Sequence, residues 1–98
     1  MILKGVDTDF DWTFFQENLI AGEVLSLNDS STTNGVIISE NIANYLQLKV
    51  ADNLIMYFVQ DPPRARKFEI SGVYNTDLEE FDELYVLGDI KQIQKLNA

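Results

Sequence analysis

The pattern of apolar and polar positions predicts several short strands in this chain. Between Lys67 and Tyr74, Phe68 and Ile70 alternate with polar residues, which is typical of a strand with one face in a core. Other segments are compact runs of β-branched or large apolar residues. The predicted strands are Ile2–Val6, Gly35–Ile38, Leu54–Val59, Lys67–Tyr74 and Leu84–Leu87.

Three further segments have the spacing of amphipathic helices. The first begins at Phe10 and ends before Gly22, and most of its apolar residues are aromatic. The second follows Ser39, whose hydroxyl oxygen can accept a hydrogen bond from a free amide of the first turn. The third follows Asp89, a residue that caps helices for the same reason. The apolar faces of the second and third helices are expected to be Ile42, Ala43 and Leu46, and Ile90, Ile93 and Leu96.

The two predicted strands in the middle of the chain form a hairpin. Asp61-Pro62-Pro63 cannot continue a paired strand, since proline has no N–H group and restricts the residue before it. The predicted hairpin therefore runs from Leu54 to Tyr74 with its tip at Gln60–Arg66. The resulting order β-α-β-α-β-β-β-α predicts an α+β fold: one strand-rich domain over residues 1–98, with two or three short helices packed on a small, mostly antiparallel sheet.

Composition narrows the partners that this domain can have. The chain has sixteen acidic and seven basic residues, and its formal net charge of −9 opposes binding to nucleic acid or to anionic lipid. No apolar run approaches the ~20 residues that span a bilayer, and no signal peptide is expected. Because the chain has neither Cys nor His, thiol chemistry, zinc sites and the usual general base are excluded.

The first acidic segment resembles a calcium-binding loop only at its start. Asp7, Asp9 and Asp11 match the first ligands of such a loop, but its sixth and twelfth positions need Gly and Glu and here hold Trp12 and Asn18. A solvated turn that caps a helix is favoured instead. Because motifs for a serine nucleophile and for a glycine-rich phosphate loop are also missing, no catalytic residue, metal site or cofactor is expected.

The second acidic segment, residues 75–83, is expected to be a solvated loop. General acid catalysis needs one desolvated carboxyl group beside a polar one, whereas a cluster this dense is more typical of a loop in water. Leu78 and Phe81 are the expected apolar anchors, and an acidic patch that binds a basic partner is the alternative. The acidic residues of the cluster are Asp77, Glu79, Glu80, Asp82 and Glu83.

The predicted hairpin tip reverses the local sign of charge. Two prolines stiffen it, and three of the seven basic residues of the chain lie within four positions. A rigid cationic loop loses little entropy on docking, and arginine can bind a carboxylate through two hydrogen bonds. A solubilised tip, or one that pairs with the acidic loop of the same chain, is the alternative. The candidate partner-binding residues are Gln60, Asp61, Pro62, Pro63, Arg64, Arg66 and Lys67.

Several stretches together resemble a known family of membrane transporters. They are Gly5-Val6-Asp7, Gly22 before a polar loop, VIISENIANYLQLKV at 36–50, YFVQDPPRARKFEISGVYNT at 57–76 and LEEFD at 78–82. In this order and spacing they resemble the extracytoplasmic core of MacB-like and FtsX-like permeases. The strongest resemblance is to lipoprotein-releasing permeases of the LolC and LolE kind, especially forms from Bacteroidetes. One departure is Ala51, because such proteins usually carry Gly before Asp52.

The resemblance implies an internal piece of the periplasmic domain of an ABC transporter permease, held at the inner membrane. In this family a cytoplasmic ATPase subunit drives movements that release a lipoprotein to a periplasmic carrier. The implied partners are the rest of the permease, its sister subunit and a periplasmic lipoprotein carrier, with the ATPase only an indirect partner. In LolC-type subunits a hairpin engages the carrier, and residues 60–67 fall at the comparable place. The alternative is an FtsX-like coupling domain that regulates a cell-wall hydrolase or exports another substrate.

Membership of a larger periplasmic domain also has a consequence for the aromatic segment. Phe10, Trp12, Phe14 and Phe15 are expected to pack in part on a neighbouring subdomain. The isolated piece is then expected to expose an apolar patch and to dimerise through it.

Overall fold

The computed structural model describes residues 2–27, 33–58, 64–78, 82 and 85–96. Within these ranges the chain forms six strands and three helices, and all the strands belong to one mixed sheet, which confirms the α+β class. The strands are β1 (Ile2–Val6), β2 (Leu19–Gly22), β3 (Gly35–Ser39), β4 (Asn53–Phe58), β5 (Arg64–Tyr74) and β6 (Tyr85–Asp89). The helices are α1 (Thr13–Glu17), α2 (Glu40–Leu46) and α3 (Ile90–Leu96).

The sheet is organised around the eleven-residue strand β5. The strand order is β1-β6-β3-β5-β2, and β4 pairs with β5 outside this path. Two successive backbone amides of β5 form hydrogen bonds on opposite edges of the strand. The Glu69 amide donates to the Asn34 carbonyl just before β3 (3.1 Å), whereas the Ile70 amide donates to the Asp52 carbonyl just before β4 (2.9 Å). β4 and β2 therefore follow one another along one edge of β5, and β3 occupies the other edge.

The pairing is mixed rather than purely antiparallel. The β6–β3, β5–β2 and β5–β4 pairs are antiparallel, whereas the β1–β6 and β3–β5 pairs are parallel. All five residues of β3 are buried, because the strand lies between β6 and β5 and both of its faces are covered. This burial explains why the sequence of β3 is a continuous apolar run rather than an alternating one.

The two faces of the sheet bury two different sets of side chains. On one face Val36 and Ile38 pack with Ile42 and Ala43 of α2. On the other face Ile37 packs in a second cluster with Phe15, Leu25, Tyr74 and Leu87. The alternation along a single strand thus divides the core into two layers, one under a helix and one under the aromatic segment.

A β-bulge at Ser71 keeps β5 aligned with both layers. Val36 pairs with Ile70 and the next residue, Ile37, pairs with Gly72, so that Ser71 is an extra residue on β5. The extra residue is the reason that Ile70 and Val73, three positions apart, both belong to the cluster under α2.

The two longer helices begin directly at the ends of two adjacent strands. Ser39, the last residue of β3, accepts a hydrogen bond from the Ile42 amide (3.1 Å) at the start of α2. Asp89, the last residue of β6, accepts one from the Lys91 amide (3.0 Å) at the start of α3. Both predicted caps are confirmed, and each helix follows its strand without an intervening loop.

The prediction of one helix between Phe10 and Gly22 is wrong. Only the single turn Thr13–Glu17 is helical, and it has no side-chain cap at its first residue. The following residues form β2, because Leu19 and Ala21 pair with Tyr74 and Val73 of β5. This tertiary pairing overrides the local helical spacing, which is common for short segments.

Ala51 has the backbone conformation that glycine favours. Its φ is 78°, within the turn that leads into β4. The Ala51 amide donates to the Ile70 carbonyl (2.9 Å), which holds the turn against β5. Because a Cβ atom is strained in the left-handed region, the residue stores conformational energy at this position.

We expect the substitution Ala51→Gly to stabilise the protein by about 1 kcal/mol, since it relieves this strain by more than it adds to the entropy of the unfolded chain. Urea unfolding followed by circular dichroism measures the difference. The matched control is Ala65→Gly at an exposed position of β5, where the same change is expected to destabilise by about 0.5–1 kcal/mol. Equal effects of the two substitutions would contradict the assignment of strain to Ala51.

Candidate interaction site

The hairpin predicted between Leu54 and Tyr74 is present as the antiparallel pair β4–β5. Its register runs without a shift from Asn53 opposite Glu69 to Phe58 opposite Arg64. Leu54 and Phe68 are buried at neighbouring positions on the core face of the sheet. The hairpin is therefore a direct extension of the core, and its strands have a defined inner and outer face.

The predicted tip, Gln60–Arg66, extends too far along the chain. Arg64 already belongs to β5, as do Arg66 and Lys67, which pair with Met56 and Ile55. The β4–β5 pairing continues into the segment that was predicted to be the tip. Each of these three basic residues has an apolar residue of β4 as its pairing partner. Four of the candidate residues, Gln60, Asp61, Pro62 and Pro63, lie outside the described residues.

Because Arg66 and Lys67 are successive strand residues, their side chains lie on opposite faces of the sheet. Arg66 is half-buried on the same face as Phe68, and its Nη1 donates to the Ala65 carbonyl (3.0 Å). Lys67 is exposed on the outer face opposite Ile55. Neither cation forms an ion pair with any acidic side chain in the part of the chain that the structure describes.

The outer face of the hairpin exposes large apolar side chains beside Lys67. Ile55 is 53% exposed and Tyr57 is 79% exposed, although both belong to a regular strand of the sheet. Sequence reasoning predicted this strand but placed the candidate site at the tip and did not include β4 in it. The signal that could have identified it is the sequence NLIMYF of β4, which contains no charged residue and no proline.

The acidic segment after β5 is anchored differently from the prediction. Leu78, an expected apolar anchor, is 57% exposed, and the other, Phe81, lies outside the described residues. Asp82, expected to be solvated with its acidic neighbours, is only 3% exposed. The carboxylate of Asp82 accepts hydrogen bonds from the Thr76 hydroxyl (2.6 Å) and from the Thr76 amide (3.2 Å).

Asp82 joins this segment to the start of α2. The Ser39 hydroxyl donates to the Asp82 carbonyl and also accepts from the Ile42 amide, so that one buried side chain serves both the helix cap and the acidic segment. Buried polar groups that are fully hydrogen-bonded hold a specific arrangement. Asp82 is therefore a structural residue, whereas Asp77 is exposed and the other acidic residues of the cluster lie outside the described residues.

The aromatic segment is largely packed within the domain, contrary to the expected exposed patch. Phe15 is 7% exposed, and its ring contacts that of Tyr74 edge-on with centroids 5.2 Å apart. The rings of Phe10 and Trp12 are 4.6 Å apart and pack on the same cluster. Phe14 alone in this group is exposed by nearly half, at 46%. The segment covers one face of the sheet, which removes most of the apolar surface expected to drive dimerisation.

A second surface feature is an open groove of about 520 Å³ beside Ala51, at the end of β2. Its lining includes the acidic residues Glu23 and Glu69 and the hydroxyl-bearing residues Thr33 and Ser71. The two acidic residues give the groove an acidic character, and the groove adjoins the hairpin, since Glu69 pairs with Asn53 of β4.

The first acidic segment forms a turn before α1. The Asp11 carboxylate accepts hydrogen bonds from the Thr13 hydroxyl (2.6 Å) and amide (3.0 Å), and these bonds lower the pKa of Asp11. Asp11 thus closes a turn at the first residue of α1, whereas the N-cap position itself is Trp12 and has no side-chain cap. Among the described residues no group of three acidic side chains is placed to hold a metal ion.

Comparison of the chain with protein-family models and with curated proteins finds no match. Of the helices in the described ranges, none is long and apolar enough to cross a membrane.

We expect Asp82→Ala to destabilise the protein by about 2–3 kcal/mol, because it leaves the Thr76 amide and hydroxyl without their charged acceptor in a buried place. Asp9→Ala is the matched control: Asp9 is exposed, and its loss is expected to change stability by less than about 0.5 kcal/mol. Chemical denaturation at neutral pH measures both. Similar values for the two variants would show that Asp82 is solvated, as its neighbours in sequence suggest.

Burial raises the pKa of Tyr74 above its ordinary value of 10.0, and the negative charge of Asp82 raises it further. The folded state therefore holds this proton more tightly than the unfolded state, so its contribution to stability is complete below pH 10 and is lost as the pH rises above it. We expect Tyr74→Phe to cost about 1 kcal/mol at pH 7 through the lost bond to the Tyr85 carbonyl. The free energy of unfolding of this variant should then fall less steeply above pH 10 than that of the wild type. Parallel curves would contradict the prediction.

Proposed function

We propose that this chain is a partner-contacting domain of an ABC transporter permease of the lipoprotein-releasing kind, at the periplasmic face of the inner membrane. The β4–β5 hairpin is its contact element. The observation that carries the proposal is the pair of cations on β5: in a chain of net charge −9, Arg66 and Lys67 have no acidic partner among the described residues. Cations left unpaired in an acidic protein are available to a carboxylate of another molecule.

The backbone at Ala51 supports the family resemblance on which the transporter assignment rests. The resembling permeases carry glycine immediately before the residue equivalent to Asp52. Here Ala51 has a φ of 78°, a conformation in which glycine is the favoured residue. The turn that glycine would serve is thus retained although the residue differs.

The architecture suits the transmission of movement rather than catalysis. The hairpin shares β5 with the central pairs of the sheet, so that a force on β4 reaches β3 and β2 through continuous backbone hydrogen bonds. In the proposed role ATP is hydrolysed on a separate subunit, and this domain contacts a carrier or a sister subunit without any covalent step.

The test is capture of an identified lipoprotein carrier from periplasmic extract by the purified domain, followed by mass spectrometry. The charge-reversal variant Arg66→Glu/Lys67→Glu is expected to lose the carrier by about tenfold or more, since two charge-assisted contacts are replaced by repulsion. The matched control is Lys4→Glu/Lys49→Glu, which makes the same change in net charge away from the hairpin and should retain the carrier.

Equal loss in both double variants would attribute binding to net charge and would contradict the assigned site. Capture of a cell-wall hydrolase or its regulator in place of a lipoprotein carrier would overturn lipoprotein release and favour the FtsX-like coupling role. No capture by the wild-type domain would remove the hairpin as a carrier-binding element.

A further inference from the structure

Strand β4 is an edge of the sheet. Within the described residues it pairs with β5 alone, so that its second edge has no strand partner. The free edge spans the six residues Asn53–Phe58, about the length of an average strand.

The pairing pattern shows which peptide groups face outward from this edge. The Ile70 amide donates to the Asp52 carbonyl, so the Asp52–Ile70 position is hydrogen-bonded. Since bonded positions alternate along an antiparallel pair, Leu54 and Met56 direct their peptide groups toward β5. Ile55 and Tyr57 direct theirs away from the sheet. The two residues with exposed apolar side chains are thus the same residues that offer free backbone donors and acceptors.

Within the described residues, the strand itself lacks the sequence features that usually block strand addition. Proteins commonly protect an edge with proline, lysine, a bulge or an inward-pointing charge. β4 contains no charged residue and no proline, and its register with β5 has no bulge, in contrast to β2 and β3. An unprotected edge with exposed Ile55 and Tyr57 is suited to receive another strand.

The charges around the edge select the kind of strand. A second copy of this chain also carries a net charge of −9, and electrostatic repulsion opposes its approach. On β5 the cations Arg66 and Lys67 lie opposite Met56 and Ile55 and have no ion pair among the described residues, whereas the acidic Glu69 lies opposite Asn53 at the start of the edge. These cations favour a partner with carboxylates, and the exposed side chains favour apolar residues at alternate positions.

We propose that the free edge of β4 binds an extended acidic segment of a partner protein by strand addition. Apolar residues of the segment cover Ile55 and Tyr57 on the outer face, and its carboxylates lie on the other face toward Arg66. The inference rests on the proposed function only in that both use the hairpin for contact. It does not depend on the transporter assignment.

The probe is a capped peptide of sequence EVEVEVE, titrated into the purified domain by isothermal calorimetry. The key variant is Tyr57→Pro, because proline at this position removes an outward N–H group without removing a bond to β5. We expect Tyr57→Pro to weaken binding about tenfold or more, whereas Tyr57→Ala, which keeps the N–H group, weakens it by about threefold. Thermal unfolding of each variant checks that the fold is retained. If Tyr57→Pro does not fold, amide hydrogen exchange of the wild-type domain tests the proposal instead.

Amide hydrogen exchange of the wild-type domain gives that independent readout. The amides of Ile55 and Tyr57 are expected to exchange rapidly in the free domain and to become protected with the peptide. Those of Leu54 and Met56 should be protected in both states. Peptides KVKVKVK and EVEPEVE serve as charge and backbone controls, and both should bind at least about tenfold more weakly.

Four results would overturn the proposal. These are no binding of EVEVEVE, equal binding of KVKVKVK, unchanged protection of Ile55 and Tyr57, and dimerisation of the domain that Tyr57→Pro abolishes. The last would identify a second copy as the occupant of the edge. Peptide binding without carrier capture would leave strand addition standing and would contradict only the proposed function.

Discussion

The pairing of β5 on both of its edges is the constraint on which the rest of the structure depends. The second half of this strand lies between β3 and β2, and its first half extends past them to pair with β4. The Ser71 bulge lets one strand satisfy a parallel and an antiparallel neighbour while both faces stay aligned with their clusters. The β4–β5 hairpin begins where β5 no longer pairs with β3. The hairpin is continuous with the core of the sheet, but the core does not enclose it.

A buried polar contact holds the described part of the segment between β5 and β6. Ser39 and Asp82 meet at the end of β3, and the Thr76 hydroxyl completes the carboxylate's environment. Hydrogen bonds make the arrangement specific in direction, because each donor is directed at a defined group. The cost is that a buried carboxylate must remain satisfied, and in the described residues no buried side-chain donor or acceptor lacks a partner.

The distribution of charge gives the surface two distinct regions. The groove beside Ala51 is acidic, in keeping with the net charge, whereas Arg66 and Lys67 make the hairpin locally cationic. Long-range repulsion from the whole molecule and short-range attraction at the hairpin act on an approaching partner together. A cluster of favourable charge on an otherwise repulsive surface contributes to the specificity of binding more than to its affinity.

The sequence by itself determined the class of the fold, the caps at Ser39 and Asp89, and the hairpin around the Pro62-Pro63 pair. These features depend on local chemistry. The fold class follows from the alternation of apolar and polar residues in strands, and the caps follow from short side chains that accept a hydrogen bond from an amide of the first helical turn. The hairpin follows from proline, which has no N–H group to donate to a neighbouring strand. Only the tertiary structure decided that Leu19–Gly22 is a strand, that Asp82 is buried and that β4 is an edge. Each of these depends on which distant segment lies alongside, and neither the period nor the composition of a short stretch contains that information.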